Sequence, residues 1–258
     1  MHLRLPKSTT TRMAVLCAAV LLVSSCEAQV WGSPPATQDT PHAPVVTPQA
    51  SLPVLPEAPP GPPTATLDGL DVRIRQATAD AAKSGADIEA VVLDRDTGQL
   101  VSNGSNQPFP IASVVKLFIA DDLLLQESEG KTTLSPADRK SLEVMLRSSD
   151  DSAAQMFWDR SGQNAIIARV KARYGLAGTT APYNGHWDVT QSTAADLVRY
   201  YDMLLNGTGG LRGWQPTGVI GPDRRYVMAL SSLDPVSAAA ARETMTQAVK
   251  TMFPGGKI

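Results

Sequence analysis

Ser113 and Lys116 are the two polar side chains of an otherwise apolar stretch, residues 110–120. The apolar pattern predicts a helix over 113–125, and residues three apart on a helix share a face. A serine hydroxyl becomes a nucleophile when a neighbouring base takes its proton. A lysine held among apolar neighbours gives up its charge more readily than one in water, so it can act as that base. The pair therefore predicts a serine acyl-transfer site, with Ser113 as nucleophile and Lys116 as base.

The S-x-x-K spacing does not identify a site by itself. Ser128 and Lys131 have the same spacing within a polar stretch that is typical of a surface loop. Ser113 instead follows a predicted hairpin and opens a buried helix. The structural context of Ser113, rather than the motif, favours the catalytic interpretation.

A second polar group, Ser149, Asp150 and Asp151, lies between two predicted helices. Ser149 and Asp150 can cap the following helix, because Ser and Asp side chains accept hydrogen bonds from the first N–H groups of a helix. They can equally form part of a site with Ser113. The residues alone leave both interpretations open.

The elements that must position these residues begin after residue 66. Periodic patterns predict helices at 67–82, 113–125, 135–147, 193–206 and 237–253, and hairpins at 88–102 and 217–230. Strands from both ends of this region must pair in one antiparallel sheet, with the central helices on one face and the terminal helices on the other. The predicted fold class is α+β, a three-layer α/β/α arrangement whose helical subdomain carries the S-x-x-K helix.

Residues 109–116, residues 149–154 and the order of elements resemble the class A β-lactamase / D,D-peptidase superfamily of penicillin-recognising serine hydrolases. The resemblance covers essentially all of 67–258 and implies the same fold. It also implies a substrate class, D-alanyl-D-alanine-like wall peptides or β-lactams, with no cofactor and no metal.

The resemblance assigns further roles in the site. Ser149 would relay a proton to the leaving nitrogen, and Asp150 would brace its loop. Asp151, Thr217 and Gly218 would contact the substrate. The backbone amide of Ser113 would supply one donor of the oxyanion hole.

Two departures concern carboxylates. Asp151 stands where the family has Asn; an Asn can donate to a substrate carbonyl, whereas an ionised Asp only accepts and repels a substrate carboxylate. No Glu occurs between Glu143 and Glu243, so the family's deacylating Glu has no counterpart, and Asp188 is the nearest acid. We therefore expect rapid β-lactam turnover to be absent.

A third departure is the Lys-Thr-Gly strand, which should line the cleft before the last hairpin. Only residues 207–216 separate the helix from that hairpin, and four of these residues are Gly. Thr217 and Gly218 retain the Thr-Gly with Pro216 before them. A stunted strand at 211–214, with Arg212 as the cation, is one alternative; loss of the edge strand is the other, and it would expose a sheet edge.

The first 25 residues are typical of a bacterial signal peptide. Arg4, Lys7 and Arg12 precede an apolar run at 13–23, which is too short to span a bilayer. The residues before Cys26 resemble a lipobox, which implies lipidation of Cys26. An ordinary signal peptide or a signal anchor with a chance Cys is the alternative.

A Pro-rich spacer completes the predicted domain organisation, which is 1–25 signal peptide, 26–66 lipidated Cys and spacer, and 67–258 domain. The spacer holds eleven of the twenty Pro residues and cannot bury a core. It extends the domain towards the wall or serves as an inert linker. The lipobox, the spacer and the ending at 217–226 resemble more narrowly the actinobacterial LppW-type lipoproteins, which places the domain outside the cell membrane.

Two functional hypotheses follow. The chain is either a serine acyl-transferase or, as we favour, a catalytically impaired relative that binds wall peptides or a partner without turnover. Without the leader, 20 basic residues face 25 acidic ones, which argues against nucleic acid. A Lys116 close to Ser113 and open to solvent would favour the enzyme, and a Lys116 bound to Asp150 or Asp151 would favour the binding domain. The sequence does not indicate an oligomeric state.

Overall fold

The computed structural model describes residues 15–16, 67–213, 225–234 and 236–256. The strands are β1 Val15–Leu16, β2 Asp87–Asp94, β3 Leu100–Ser102, β4 Phe109–Pro110, β5 Gln191–Ser192 and β6 Tyr226–Leu233. The helices are α1 Leu70–Lys83, α2 Val115–Ser128, α3 Pro136–Ser148, α4 Asp151–Arg160, α5 Asn164–Tyr174, α6 Ala194–Leu205 and α7 Ala238–Met252. Short 3₁₀ helices lie at Ala112–Val114, Trp187–Val189, Gly210–Gly213 and Pro254–Gly256.

The main sheet is antiparallel, with strand order β1-β6-β2-β3. β2 and β6 pair along their whole length, from Asp87 opposite Leu233 to Asp94 opposite Tyr226. β6 comes from the C-terminal part of the chain and β2 from the start of the domain. The sheet is therefore built from both ends of the domain, as the sequence predicts.

Each face of the sheet carries its own hydrophobic cluster. Ile88, Ala90 and Val92 of β2 pack with α1 and α7 on one side. Val91 faces the other side, where the larger cluster contains side chains of α2 to α6. Because successive strand residues point to opposite faces, this alternation produces three layers, and it confirms the predicted α/β/α arrangement.

The helices begin where their capping residues predict. Ser135 and Asp138 form a reciprocal capping box at the start of α3, with Pro136 in the first turn. Thr193 accepts from the backbone of Asp196 at the start of α6, and Ser237 caps α7 in the same way. Local hydrogen bonds to side chains therefore determine where these three helices begin.

The helix predicted from Ser113 differs in its first turn. Ser113 lies in the 3₁₀ helix Ala112–Val114, and the α-helix begins at Val115. Ala112 has a φ of 44°, in the left-handed region that is costly for a residue with a Cβ. A strained backbone thus directly precedes the predicted nucleophile.

The alternative of a stunted strand at 211–214 is wrong for its described part, since Gly210–Gly213 form a 3₁₀ helix. The buried Asp121 carboxylate of α2 accepts from the backbone N–H of Gly210 (2.7 Å) and of Leu211 (3.2 Å). A Cβ on Gly210 would collide with the backbone of α2. The short connection is therefore anchored in the core, and this anchor holds it in a turn. Thr217 and the predicted strand 217–220 lie outside the described residues.

Candidate active site

Ser113 closely follows a small two-stranded ladder that is separate from the main sheet. β4 pairs with β5, and the N–H of Ile111 donates to the carbonyl of Thr190 at 2.8 Å. The 3₁₀ helix that carries Ser113 follows at once, and it leaves the Ser113 side chain exposed. Because the first N–H groups of a helix lack intrahelical acceptors, the Ser113 amide at the start of this 3₁₀ helix has no acceptor within the helix.

Lys116 lies behind Ser113 and is only 3% exposed. Its ammonium contacts four oxygens: Ser113 Oγ at 3.1 Å, the Ser149 carbonyl at 2.7 Å, Ser149 Oγ at 2.8 Å and Asp151 Oδ1 at 2.6 Å. An ammonium has three N–H donors and no lone pair. While this arrangement holds, Lys116 donates and cannot accept the proton of Ser113.

The two interpretations of the loop between α3 and α4 each hold for different residues: Asp150 caps the following helix, whereas Ser149 and Asp151 contact Lys116. Ser149 ends α3 in the left-handed conformation, with a φ of 54°, and its hydroxyl and carbonyl face Lys116. Asp150 caps α4 by accepting from the N–H of Ala153 at 2.7 Å. Asp151, in the first turn of α4, pairs with Lys116. The cap thus fixes the turn that directs Ser149 and Asp151 to the lysine.

The Lys116–Asp151 ion pair is asymmetric. The Lys116 side chain is 3% exposed, whereas that of Asp151 is 77% exposed. A buried charge without a partner is costly, while an exposed carboxylate can return to water at little cost. The cation is therefore fixed by the fold, and its anion sits at the cleft mouth.

Trp187 packs against Lys116, and its place in the site was not predicted from the sequence. Its ring centre lies 4.9 Å from Lys116 Nζ, and its Nε1 donates to Gln155 Oε1 at 3.1 Å. A cation over an indole face is attracted by the ring quadrupole. A buried Trp in a loop is indistinguishable from a core residue by sequence alone, so its contact with Lys116 becomes visible only in the fold.

The predicted site residues fall into two groups. The first group surrounds Lys116, whose Nζ lies within hydrogen-bond distance of Ser113, Ser149 and Asp151. The backbone of Arg212 belongs to the 3₁₀ helix Gly210–Gly213, and Asp188 is exposed on the 3₁₀ helix Trp187–Val189. The structure thus assembles the lysine-centred half of the site.

The remaining predicted residues, Thr217, Gly218 and Cys26, lie outside the described residues. Among the residues that the structure describes, no three His, Cys, Asp or Glu side chains are placed to hold a metal ion. The site described here therefore consists of serine, lysine and carboxylate groups.

A buried acid that sequence reasoning missed supports the ladder from the sheet side. Glu89 of β2 is 4% exposed, and its Oε1 accepts from the N–H of Ala194 at the start of α6, at 3.1 Å. Among the residues that the structure describes, none donates a hydrogen bond to its Oε2. Burial, with the nearby Asp196 charge adding to it, raises the pKa of Glu89 to about 7. Glu89 thus ties the sheet to the segment that follows β5.

The fold and the serine–lysine pair define the class of this protein. Residues 70–137 match the family described as the β-lactamase enzyme family. The fold is similar to a class A β-lactamase reconstructed as the last common ancestor of Gram-negative bacteria, with a TM-score of 0.53 and 18% identity over 69% of this chain and 97% of that chain. It is also similar to a β-lactamase from Sphaerobacter thermophilus, with a TM-score of 0.54 and 14% identity over 73% and 98% of the two chains. This is a β-lactamase-like domain.

Proteins with similar sequences identify the family of this chain within the β-lactamase-like class. The lipoprotein LppW of Mycobacterium bovis and that of Mycobacterium tuberculosis are each 46% identical over 254 residues, covering 79% of this chain and 81% of theirs. At this identity and coverage, the chain belongs to the LppW family of lipoproteins. The resemblance predicted from the sequence is confirmed at both levels.

Proposed function

We propose that this chain is a lipid-anchored, extracytoplasmic binding domain that recognises peptidoglycan peptides or β-lactam-like ligands with impaired or absent catalysis. The observation that carries this proposal is the 2.6 Å ion pair between Lys116 and Asp151. A Lys116 bound to Asp151 favours a binding domain over an enzyme, because the lysine is then held as a cation.

The ion pair opposes the chemistry that acylation requires. In acylation the bond between Ser113 Oγ and the ligand carbonyl carbon forms, and the carbonyl–nitrogen bond breaks. The hydroxyl proton passes to the base and then to the leaving nitrogen. Lys116 can accept that proton only as a neutral amine, and its N–H groups are instead directed at Asp151, Ser149 and Ser113.

A slow serine acyl-transferase is the second candidate, because Lys116 Nζ lies 3.1 Å from Ser113 Oγ. If Asp151 moved into solvent and Lys116 lost its proton, the neutral amine would face Ser113. Ser149 Oγ, 2.8 Å from Lys116, would then relay the proton to the leaving nitrogen. D-alanyl-D-alanine peptides or β-lactams would acylate Ser113 slowly.

The proposed location rests on the N-terminal segment and on the relatives' name. A basic leader, an apolar run and Cys26 precede the Pro-rich spacer, and the relatives are named as lipoproteins. Within the described ranges, no helix is long and apolar enough to cross a membrane. Lipid on Cys26 would anchor the domain, with the spacer separating it from the bilayer. Growth with a labelled fatty acid, with Cys26→Ala as control, tests this anchor.

The catalytic part is tested by incubating the full-length chain, in detergent, with a fluorescent penicillin and measuring intact mass. Ser113→Ala is the matched control, because it removes a single exposed hydroxyl. We expect no adduct, or one that accumulates over hours and disappears in Ser113→Ala. Rapid stoichiometric labelling followed by release of hydrolysed penicillin would overturn the proposal in favour of an active enzyme.

A further inference from the structure

We propose that Asp151 makes this cleft selective for peptides that carry a primary amine, rather than for ligands recognised through a carboxylate. This inference rests on the proposed function, since it names the ligand class of the same cleft. It follows from how the charges around Ser113 are distributed.

The cation of the cleft is not available to a ligand carboxylate. Lys116 is 3% exposed, and its charge is already neutralised by Asp151 at 2.6 Å. Its remaining donors are directed at Ser113 and Ser149. A carboxylate that approached Ser113 would meet the anion of the pair before the cation.

Asp151 still has capacity to bind. A carboxylate offers about four lone-pair sites, and only Oδ1 is engaged by Lys116. Among the donors that the structure describes, none reaches Oδ2, and the side chain is 77% exposed. Because Lys116 binds Oδ1 of Asp151, Oδ2 is left to accept from a ligand N–H donor at the mouth of the cleft.

The neighbouring charges have the same sign as Asp151. Asp188 is exposed beside Trp187, whose ring contacts Lys116. The nearest basic side chain along the α3–α4 loop is Arg147, which is paired with Glu143 at 2.8 Å. Because the charges of Lys116 and Asp151 offset each other, the exposed Asp188 leaves this part of the described chain with a net negative charge, which attracts an ammonium and repels a carboxylate.

The test compares two acyl-Lys-D-Ala-D-Ala tripeptides, one with a free lysine ε-amine and one with that amine acetylated. Binding to the full-length chain in detergent is measured by calorimetry at low and high salt. We expect the free amine to bind about fivefold more tightly, a typical value for one exposed ion pair. This preference should shrink at high salt, because salt screens exposed charges.

Asp151→Asn is the decisive variant, since it keeps the shape of the side chain and removes its charge. We expect it to lose the preference for the amine, while Asp71→Asn, an equal charge change in α1 on the far side of the sheet, retains it. Equal binding of both peptides to the unmodified chain, a preference that survives Asp151→Asn, or no binding of either peptide would each overturn the inference. The penicillin experiment reports separately on catalysis, so rapid turnover would refute the proposed function without deciding the amine preference.

Discussion

Helix α2 carries two ionic networks that differ in how they are buried. At its start, the buried Lys116 pairs with an Asp151 that is 77% exposed. Near its middle, Asp121 and Asp122 are fully buried and pair with Arg173 and Arg169, whose side chains are 16% and 38% exposed. The inner network, Asp121 and Asp122 with their two arginines, stabilises the fold. The outer pair, Lys116 and Asp151, leaves its carboxylate exposed to a ligand. The proposed function uses only the outer pair, and the inner network is assigned a structural role.

Breaking the inner network should have the largest effect. Asp121→Asn removes the charge that faces Arg173 and weakens the bonds to the amides of Gly210 and Leu211. Loss of one partner of a buried ion pair typically costs about 3–5 kcal/mol. We expect a loss of that size in the free energy of unfolding, measured by urea denaturation. The exposed pair of Asp71 and Arg75 is the control, and Asp71→Asn should cost less than about 1 kcal/mol. Equal losses in both variants would remove the distinction between the two networks.

Glu89 should make stability depend on pH in a definite direction. Its folded pKa is about 7, above its unfolded value of 4.5, so the folded state holds the proton more tightly. The domain therefore has its full stability from this group below about pH 4.5 and loses it as the pH rises towards 7. The difference of about 2.5 units corresponds to about 3 kcal/mol.

Glu89→Gln should remove that loss, because Gln stays neutral. In urea unfolding, the variant should match the unmodified chain near pH 4.5 and exceed it by up to about 3 kcal/mol at pH 8. A variant that is less stable than the parent at pH 8 would show that the ionised Glu89 is stabilised by a partner.

The outer pair should contribute less to stability than the inner network. Asp151→Asn loses an ion pair whose carboxylate is mostly in water, and the Ser149 carbonyl and hydroxyl still accept from Lys116. We expect a loss in the free energy of unfolding, measured by urea denaturation, that stays below the ~3–5 kcal/mol of a fully buried pair, because the Asp151 carboxylate is mostly in water. A loss as large as that of Asp121→Asn would mean that Asp151 is mainly structural.

The sequence predicted the features that depend on local chemistry. The helices predicted from residues 135, 193 and 237 begin there, and the apolar stretch around Ser113 and Lys116 is a buried helix. These features could be predicted because each depends on residues within a few positions of one another.

The features that the sequence did not predict depend on contacts between distant residues. Asp121 reaches Gly210, 89 positions away, and this contact holds Gly210–Gly213 in a 3₁₀ helix rather than in the stunted strand that was one alternative. Glu89 reaches Ala194 over 105 positions, and Trp187 meets Lys116 only in the folded chain. The choice between Asp150 and Asp151 as the lysine's partner likewise required the geometry of the α3–α4 loop.

The measurement that tests the central claim most directly is the rate at which fluorescent penicillin acylates Ser113 in the unmodified chain and in Asp151→Asn. If the ion pair holds Lys116 as a proton donor, its removal should raise the rate about tenfold or more, which corresponds to ~1.4 kcal/mol in the barrier. Asp71→Asn should leave the rate unchanged, and Ser113→Ala should abolish labelling in either background. An Asp151→Asn variant that folds normally and labels no faster than the unmodified chain would contradict the claim that Asp151 silences the site.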